Sequence, residues 1–248
     1  MKLRFPLVVR ALIGTTCFSS TALDASVAFP TTPDVLLFAD SFNRSDASLT
    51  KDGLANGWDS NSERRASGQK QATLTNGILT IVTAPGADHN AVIFHAIEPA
   101  FDDGVIQIRA RLQDDESFAI DFNNPSCSTV HSGHIINVAF AANGITVKDS
   151  KTGAMNLGIR ERNLAQEKSP ELTALLKSKT KLLPCRLADD QWHELTMVKK
   201  AGAMHLFVDG RSVGEFASAG MTHPTIDKVS LSAKKSPQLD DLKIWSFR

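Results

Sequence analysis

Residues 118–123 carry a polar face that could do chemistry. Extended backbone turns successive side chains to opposite sides, so Phe118, Ile120 and Phe122 share one face and Ala119, Asp121 and Asn123 the other. Gly104 to Leu112 repeats the pattern, with Ile106, Ile108, Ala110 and Leu112 opposite Gln107, Arg109 and Arg111. In a sandwich with one concave sheet, such polar faces are where a ligand lies. A carboxylate, an amide and a guanidinium can accept a proton, hydrogen-bond a polar ligand and hold an anion. The following His131-Ser132-Gly133-His134 adds two imidazoles that could meet one ligand or a metal, or be ordinary loop histidines. The plain alternative for Arg109 and Asp121 is a cross-strand ion pair, worth roughly 0.2–1 kcal/mol.

Short apolar-rich runs must position these residues. Val35 to Phe42, Leu74 to Val82, Ala91 to His95, Gly104 to Leu112, Phe118 to Phe122 and Ile135 to Phe140 read as strands. So do Ile145 to Asp149, His193 to Lys199, Met204 to Val208, Ser212 to Phe216, Lys228 to Leu231 and Leu239 to Trp245. Asn76-Gly77, Asn143-Gly144 and Asp209-Gly210 permit the positive φ angles of tight hairpins. About a dozen short strands with such turns predict an all-β sandwich of antiparallel sheets. The Lys-, Arg-, Glu- and Leu-rich stretch 160–186 breaks the pattern. Ser169-Pro170-Glu171 reads as a helix start, which predicts a short helical insertion near 169–180.

The whole chain has 248 residues, 42% of them apolar and 22% charged, with zero formal net charge. No overall field draws it to nucleic acid or an anionic membrane. Residues 1–28 read as an export signal. Lys2, Arg4 and Arg10 precede a short apolar stretch, and Ser26-Val27-Ala28 offers a cleavage site, with Ala22 as a competing one. That stretch is too short to span a bilayer, and no later segment is long and apolar enough. Cys17 raises a lipid anchor, but Thr16 is bulky for the position before a lipidated cysteine. The expectation is a secreted or periplasmic protein with one domain over 29–248. In an oxidising compartment Cys127 and Cys185 form one disulfide or remain two unrelated thiols. Asp40, Asp240 and Asp241, near the two ends of the sandwich, are candidate ligands of a structural calcium, or else turn-capping groups.

Five phrases taken in order resemble one family. They are Leu37 to Phe42 followed by Gly57-Trp58, Leu74 to Leu79, Asp190 to Leu195, Phe207 to Gly210 and Asp240 to Trp245. Together they are similar to the 3-keto-disaccharide hydrolase-like domains of the concanavalin A-like lectin/glucanase superfamily. The resemblance spans most of residues 36–247. It implies a jelly roll and a carbohydrate-related task, although this superfamily mixes enzymes with binding modules. Retaining laminarinase-type members carry Glu-x-Asp-x-x-Glu on one strand. That motif is absent here, and Phe118 to Asn123 offers Asp121 alone, so two-carboxylate hydrolysis is disfavoured.

On a 3-keto-glycoside, the ketone acidifies the proton at C2. A base removes it, a donor or metal stabilises the enolate oxygen, and the glycosidic oxygen leaves C1. The polar faces offer Asp121 or His134 as the base and Arg109 as the stabiliser, with Asn123 and His131 to orient hydroxyls. The alternative is a non-catalytic carbohydrate-binding or cell-surface interaction module. The chain has no Tyr and three Trp, at 58, 192 and 245, a poor stock of stacking surfaces. Trp58, expected in a loop, is the best exposed platform.

Overall fold

Alternation becomes architecture because each strand can bury only one face. The computed structural model describes residues 35–46, 48–188 and 190–247, so the export signal expected in 1–28 lies outside the described residues. The strands are β1 (Val35–Asp40), β2 (Asp59–Ser60), β3 (Ala72–Thr75), β4 (Ile78–Ile81), β5 (Ala91–Phe101), β6 (Gly104–Arg111), β7 (Ser117–Asn123) and β8 (His134–Ala141). They continue as β9 (Gly144–Asp149), β10 (Thr180–Pro184), β11 (His193–Lys200), β12 (Ala203–Val208), β13 (Arg211–Ala217), β14 (Ile226–Ala233) and β15 (Gln238–Ser246). Among the described residues they form two sheets. The first runs β13-β12-β11-β6-β15-β4-β3, with β1 also on β15, and the second runs β10-β9-β8-β7-β14-β5-β2. Every strand pairing is antiparallel.

Ile106 and Ile108 of the first sheet and Ile120, Phe122, Val138 and Phe140 of the second are fully buried in one core between the layers. Each buried aliphatic or aromatic side chain contributes about 1.5–3 kcal/mol. Residues 74–82 form two strands, not one, because Asn76 (φ 51°) and Gly77 (φ 82°) turn the chain between β3 and β4. Asp209 and Gly210 do the same between β12 and β13. Neither Asn143 nor Gly144 takes a left-handed φ, and Ala142-Asn143 makes the turn between β8 and β9. The helical insertion is present as α3 (Pro170–Ser178), its cap made by Ser169 Oγ accepting the Leu172 N–H. Helix α2 (Leu157–Leu164) overlaps the start of that stretch and strand β10 lies near its end, both concealed by the charged composition.

Cys127 and Cys185 are free thiols, so the expected disulfide is corrected. Cys127 lies beyond the end of β7 that pairs with His134, whereas Cys185 follows Pro184, which pairs with Gly144 at the opposite end of β8. Seven residue steps at ~3.3 Å put these ends roughly 23 Å apart, beyond the ~7 Å Cα reach of a disulfide.

One irregularity in the second sheet positions the site. Phe122 pairs with Ile136 but Asn123 pairs with His134, so β8 holds one extra residue, Ile135, as a bulge. Both Ile135 and Ile136 are fully buried. Strict alternation from Ile136, Val138 and Phe140 would turn His134 inward; the bulge places it beside Asn123 on the outer face. The bulge is held by its own carbonyl, which accepts the N–H groups of Ser150 and Lys151. That segment is fixed in turn by Asp149, 1% exposed, which accepts from the N–H groups of Thr152 and Gly220 and from the hydroxyls of Thr152 and Ser218. Gly220 permits this approach, since a Cβ there would stand 1.9 Å from Asp149 Oδ1.

Burial pushes the Asp149 pKa up, but the hydrogen bonds of Ser218, Thr152 and Gly220 outweigh it and hold the carboxyl below its ordinary range. A depressed folded-state pKa gives stability that is complete above the unfolded value, ~3.9, and is lost as pH falls through the folded value. Asp149→Asn is therefore expected to lower the unfolding free energy by about 2 kcal/mol at pH 7. The deficit should close below about pH 4. Urea melts of both proteins across pH check this; a gap that stays constant down to pH 2 contradicts it.

Candidate functional site

Hydrogen-bonded neighbours in a sheet share a face, so the pairings define the outer surface of the second sheet. One row reads His134 (β8), Asn123 (β7), Lys228 (β14) and Ala96 (β5). The next reads Asn137, Asp121, Ser230 and Phe94 across the same strands. These residues surround a depression of about 150 Å³ lined by Asn123, His134, Lys228, Ser230, Phe94 and, from α1 (Ser62–Arg65), Arg64.

Asp121 and His134 form the centre. His134 Nδ1 lies 3.3 Å from Asp121 Oδ1, and Asn137 Nδ2 donates to the same oxygen at 3.0 Å. Asp121 is 8% exposed, while the His134 side chain keeps 29% of its surface open. A carboxylate on Nδ1 fixes the proton on that nitrogen and leaves the Nε2 lone pair for a ligand. The turn before His134 depends on Gly133 (φ +75°), where a Cβ would come within 2.5 Å of the Asn124 carbonyl oxygen. Asn123, 2% exposed, donates from Nδ2 to Ser230 Oγ at 2.9 Å, and its Oδ1 is buried without a partner. Lys228 Nζ sits 3.7 Å from the centroid of the Phe94 ring. Burial, and then the positive charge of Arg64, push its pKa below the ordinary lysine value. Asn61 anchors α1 by donating to the Asn90 carbonyl and accepting the Val92 N–H. His131 is exposed on the short turn 131–133; partial burial, Arg160 and His134 lower its pKa.

Several expected members lie elsewhere. Arg109 is on the outer face of the first sheet, because its neighbours Ile108 and Ala110 are buried in the core. It sits 3.5 Å from Asp240 and 3.6 Å from Asp241 and stacks over Trp192 at 5.1 Å. With the whole sandwich between them, Arg109 and Asp121 neither pair nor act on one ligand. Trp58 is not an exposed platform. It is 9% exposed among Phe38, Phe42 and His95, and its Nε1–H donates to Asp40 Oδ2 at 2.9 Å. A buried indole needs such an acceptor. Asp40 also accepts from the Phe42 N–H and from both Arg44 terminal nitrogens. Its oxygens are thus committed to nitrogen donors, while Asp240 and Asp241 face Arg109. The three carboxylates do not form one oxygen cage, and among the described residues no group of three or more His, Cys, Asp and Glu is placed to hold a metal.

Lys228, Ser230 and Asn137 were missed, although alternation in Lys228 to Leu231 and Ile135 to Phe140 carries the signal: each opposes a buried aliphatic neighbour. Arg64 comes from a four-residue helix with no periodicity to reveal it.

No family model and no curated protein matches the chain. Solved structures do. SCLam, a non-specific endo-beta-1,3(4)-glucanase from family GH16, superposes with a TM-score of 0.55 at 14% identity, covering 89% of this chain and 95% of that one. A laminarinase from Flavobacterium sp. UMI-01 gives 0.53 at 13% identity, covering 85% and 100%. The catalytic domain of an endo-1,3-beta-glucanase (laminarinase) from Thermotoga petrophila RKU-1 gives 0.51 at 12% identity, covering 88% and 100%. Likeness at such identities establishes the fold: the chain is a jelly-roll β-sandwich, the architecture of these glucanases.

Proposed function

We propose that this is an exported carbohydrate-active protein whose cleft is the outer face of the second sheet, and that it cleaves 3-keto-glycosides by proton abstraction and elimination. One observation carries the reading: the Asp121–His134 pair opens onto a cleft whose lining contains no carboxylate. Hydrolysis by two carboxylates needs two such groups about 5–10 Å apart across the scissile bond. Elimination beside a ketone needs one base and one cation. Here His134 Nε2 takes the C2 proton while Asp121 accepts the Nδ1–H and steadies the imidazolium. The C2–H electrons form an enolate whose charge on the C3 oxygen faces Lys228, which takes the place expected for Arg109. The enolate collapses, the C1–O bond breaks, and the departing oxygen takes the proton back from His134. Water then adds across C1=C2.

The fold likeness to glycan-cleaving jelly rolls supports the carbohydrate class, as does the poor supply of rings for a purely stacking module. In the cleft itself, Phe94 is covered by Lys228. A 3-keto-disaccharide incubated in D2O is expected to gain deuterium at C2 and release its monosaccharide. His134→Ala should slow both by about 10²–10⁴-fold, and Asp121→Asn should slow both by a smaller factor, with melting temperatures retained. Binding without deuterium uptake would assign the site to a non-catalytic carbohydrate-binding module instead. Turnover unchanged in His134→Ala would remove the base from the scheme.

A further inference from the structure

Arg64, Arg65, His89, His134 and Lys228 all line the cleft. A single enolate oxygen calls for one cation; this wall carries three permanent ones. Part of that charge is already offset. Arg65 lies 3.2 Å from Asp88, and Asp59 and Asp227 act on Lys228. Arg64 has no carboxylate partner among the described residues. It is exposed, yet near enough for its charge to act on Lys228. Two cations brought together over a partly desolvated floor repel one another unless an anion enters between them.

The floor supplies an independent observation. Asn123 spends its Nδ2 on Ser230 and on the Asp121 carbonyl, while its Oδ1 is buried and unpaired. A buried acceptor without a donor calls for one from a ligand or water. A hydroxyl to satisfy Asn123 and an anion to balance Arg64 are features of one ligand class.

We propose that the cleft takes an acidic glycan: a sugar whose carboxylate or sulfate is seated against Arg64, the cation left over once Lys228 faces the enolate oxygen, with a ring hydroxyl donating to Asn123 Oδ1. The proposal rests on reading this face as a carbohydrate cleft. It is tested by calorimetric titration of the full chain with an oligogalacturonate trimer, a carrageenan tetrasaccharide and neutral cellotriose. At least one acidic probe is expected to bind tenfold or more tightly than cellotriose, and which one does so identifies the group as carboxylate or sulfate. Arg64→Ala should abolish that preference. Arg64 is exposed on a short helix, so the melting temperature should stay within a degree or two of the parent. Equal binding of cellotriose, or a preference that survives Arg64→Ala, overturns the anionic seat but leaves the cleft intact, provided His134→Ala still weakens binding. If His134→Ala leaves binding of every probe unchanged, the cleft reading fails as well. Failure of all three probes to bind overturns the acidic-glycan proposal.

Discussion

Two adjacent isoleucines decide where the proposed site sits. An alternating strand cannot bury both Ile135 and Ile136 in one layer, yet both are fully buried. The chain resolves the conflict with an extra residue in β8, and that step turns His134 from the core face to the outer face. Everything proposed for the site follows from it: contact with Asp121, the free ring nitrogen, and the row shared with Asn123 and Lys228. The bulge is fixed by backbone bonds to Ser150 and Lys151 and, behind them, by the buried Asp149. A charged anchor at the end of β9 thus helps to aim a histidine on β8.

Jelly rolls of this kind form a scaffold on which unrelated sites can be grafted. Here the central strand presents Ala119, Asp121 and Asn123, so the middle of the face holds one carboxylate. The proposed chemistry uses what this face does present: a histidine held by a buried aspartate, with a lysine in the same row as the histidine. The first sheet's outer face is also polar, but Arg109 there is occupied by Asp240, Asp241 and Trp192.

Much of the fold was legible because burial imposes period 2, which β6 obeys at every position from Ile106 to Arg111 and β7 from Phe118 to Ile120, before the polar side chains of Asp121 and Asn123 are themselves buried on the outer face. The site was only half legible. Alternation correctly assigned Asp121 and Arg109 to polar faces, but it is silent on which sheet a strand joins, and the two faces lie on opposite sides of the molecule. Trp58 misled for a different reason. Its neighbours Gly57 and Asp59 look like loop residues, while the Asp40 acceptor that lets the ring be buried is eighteen residues away in sequence. The cysteines were misjudged because pairing depends on which end of a strand each flanks, a property of register and not of composition.

The orientation and tautomer of His134 test the account most directly. Long-range proton–nitrogen NMR of its ring at pH 8, where an ordinary imidazole is neutral, should show hydrogen on Nδ1 and a bare Nε2. Asp121→Asn should shift that balance toward the Nε2–H form. A native ring carrying its hydrogen on Nε2, or one whose tautomer ignores the change at Asp121, would contradict the proposed proton acceptor and the cleft built around it.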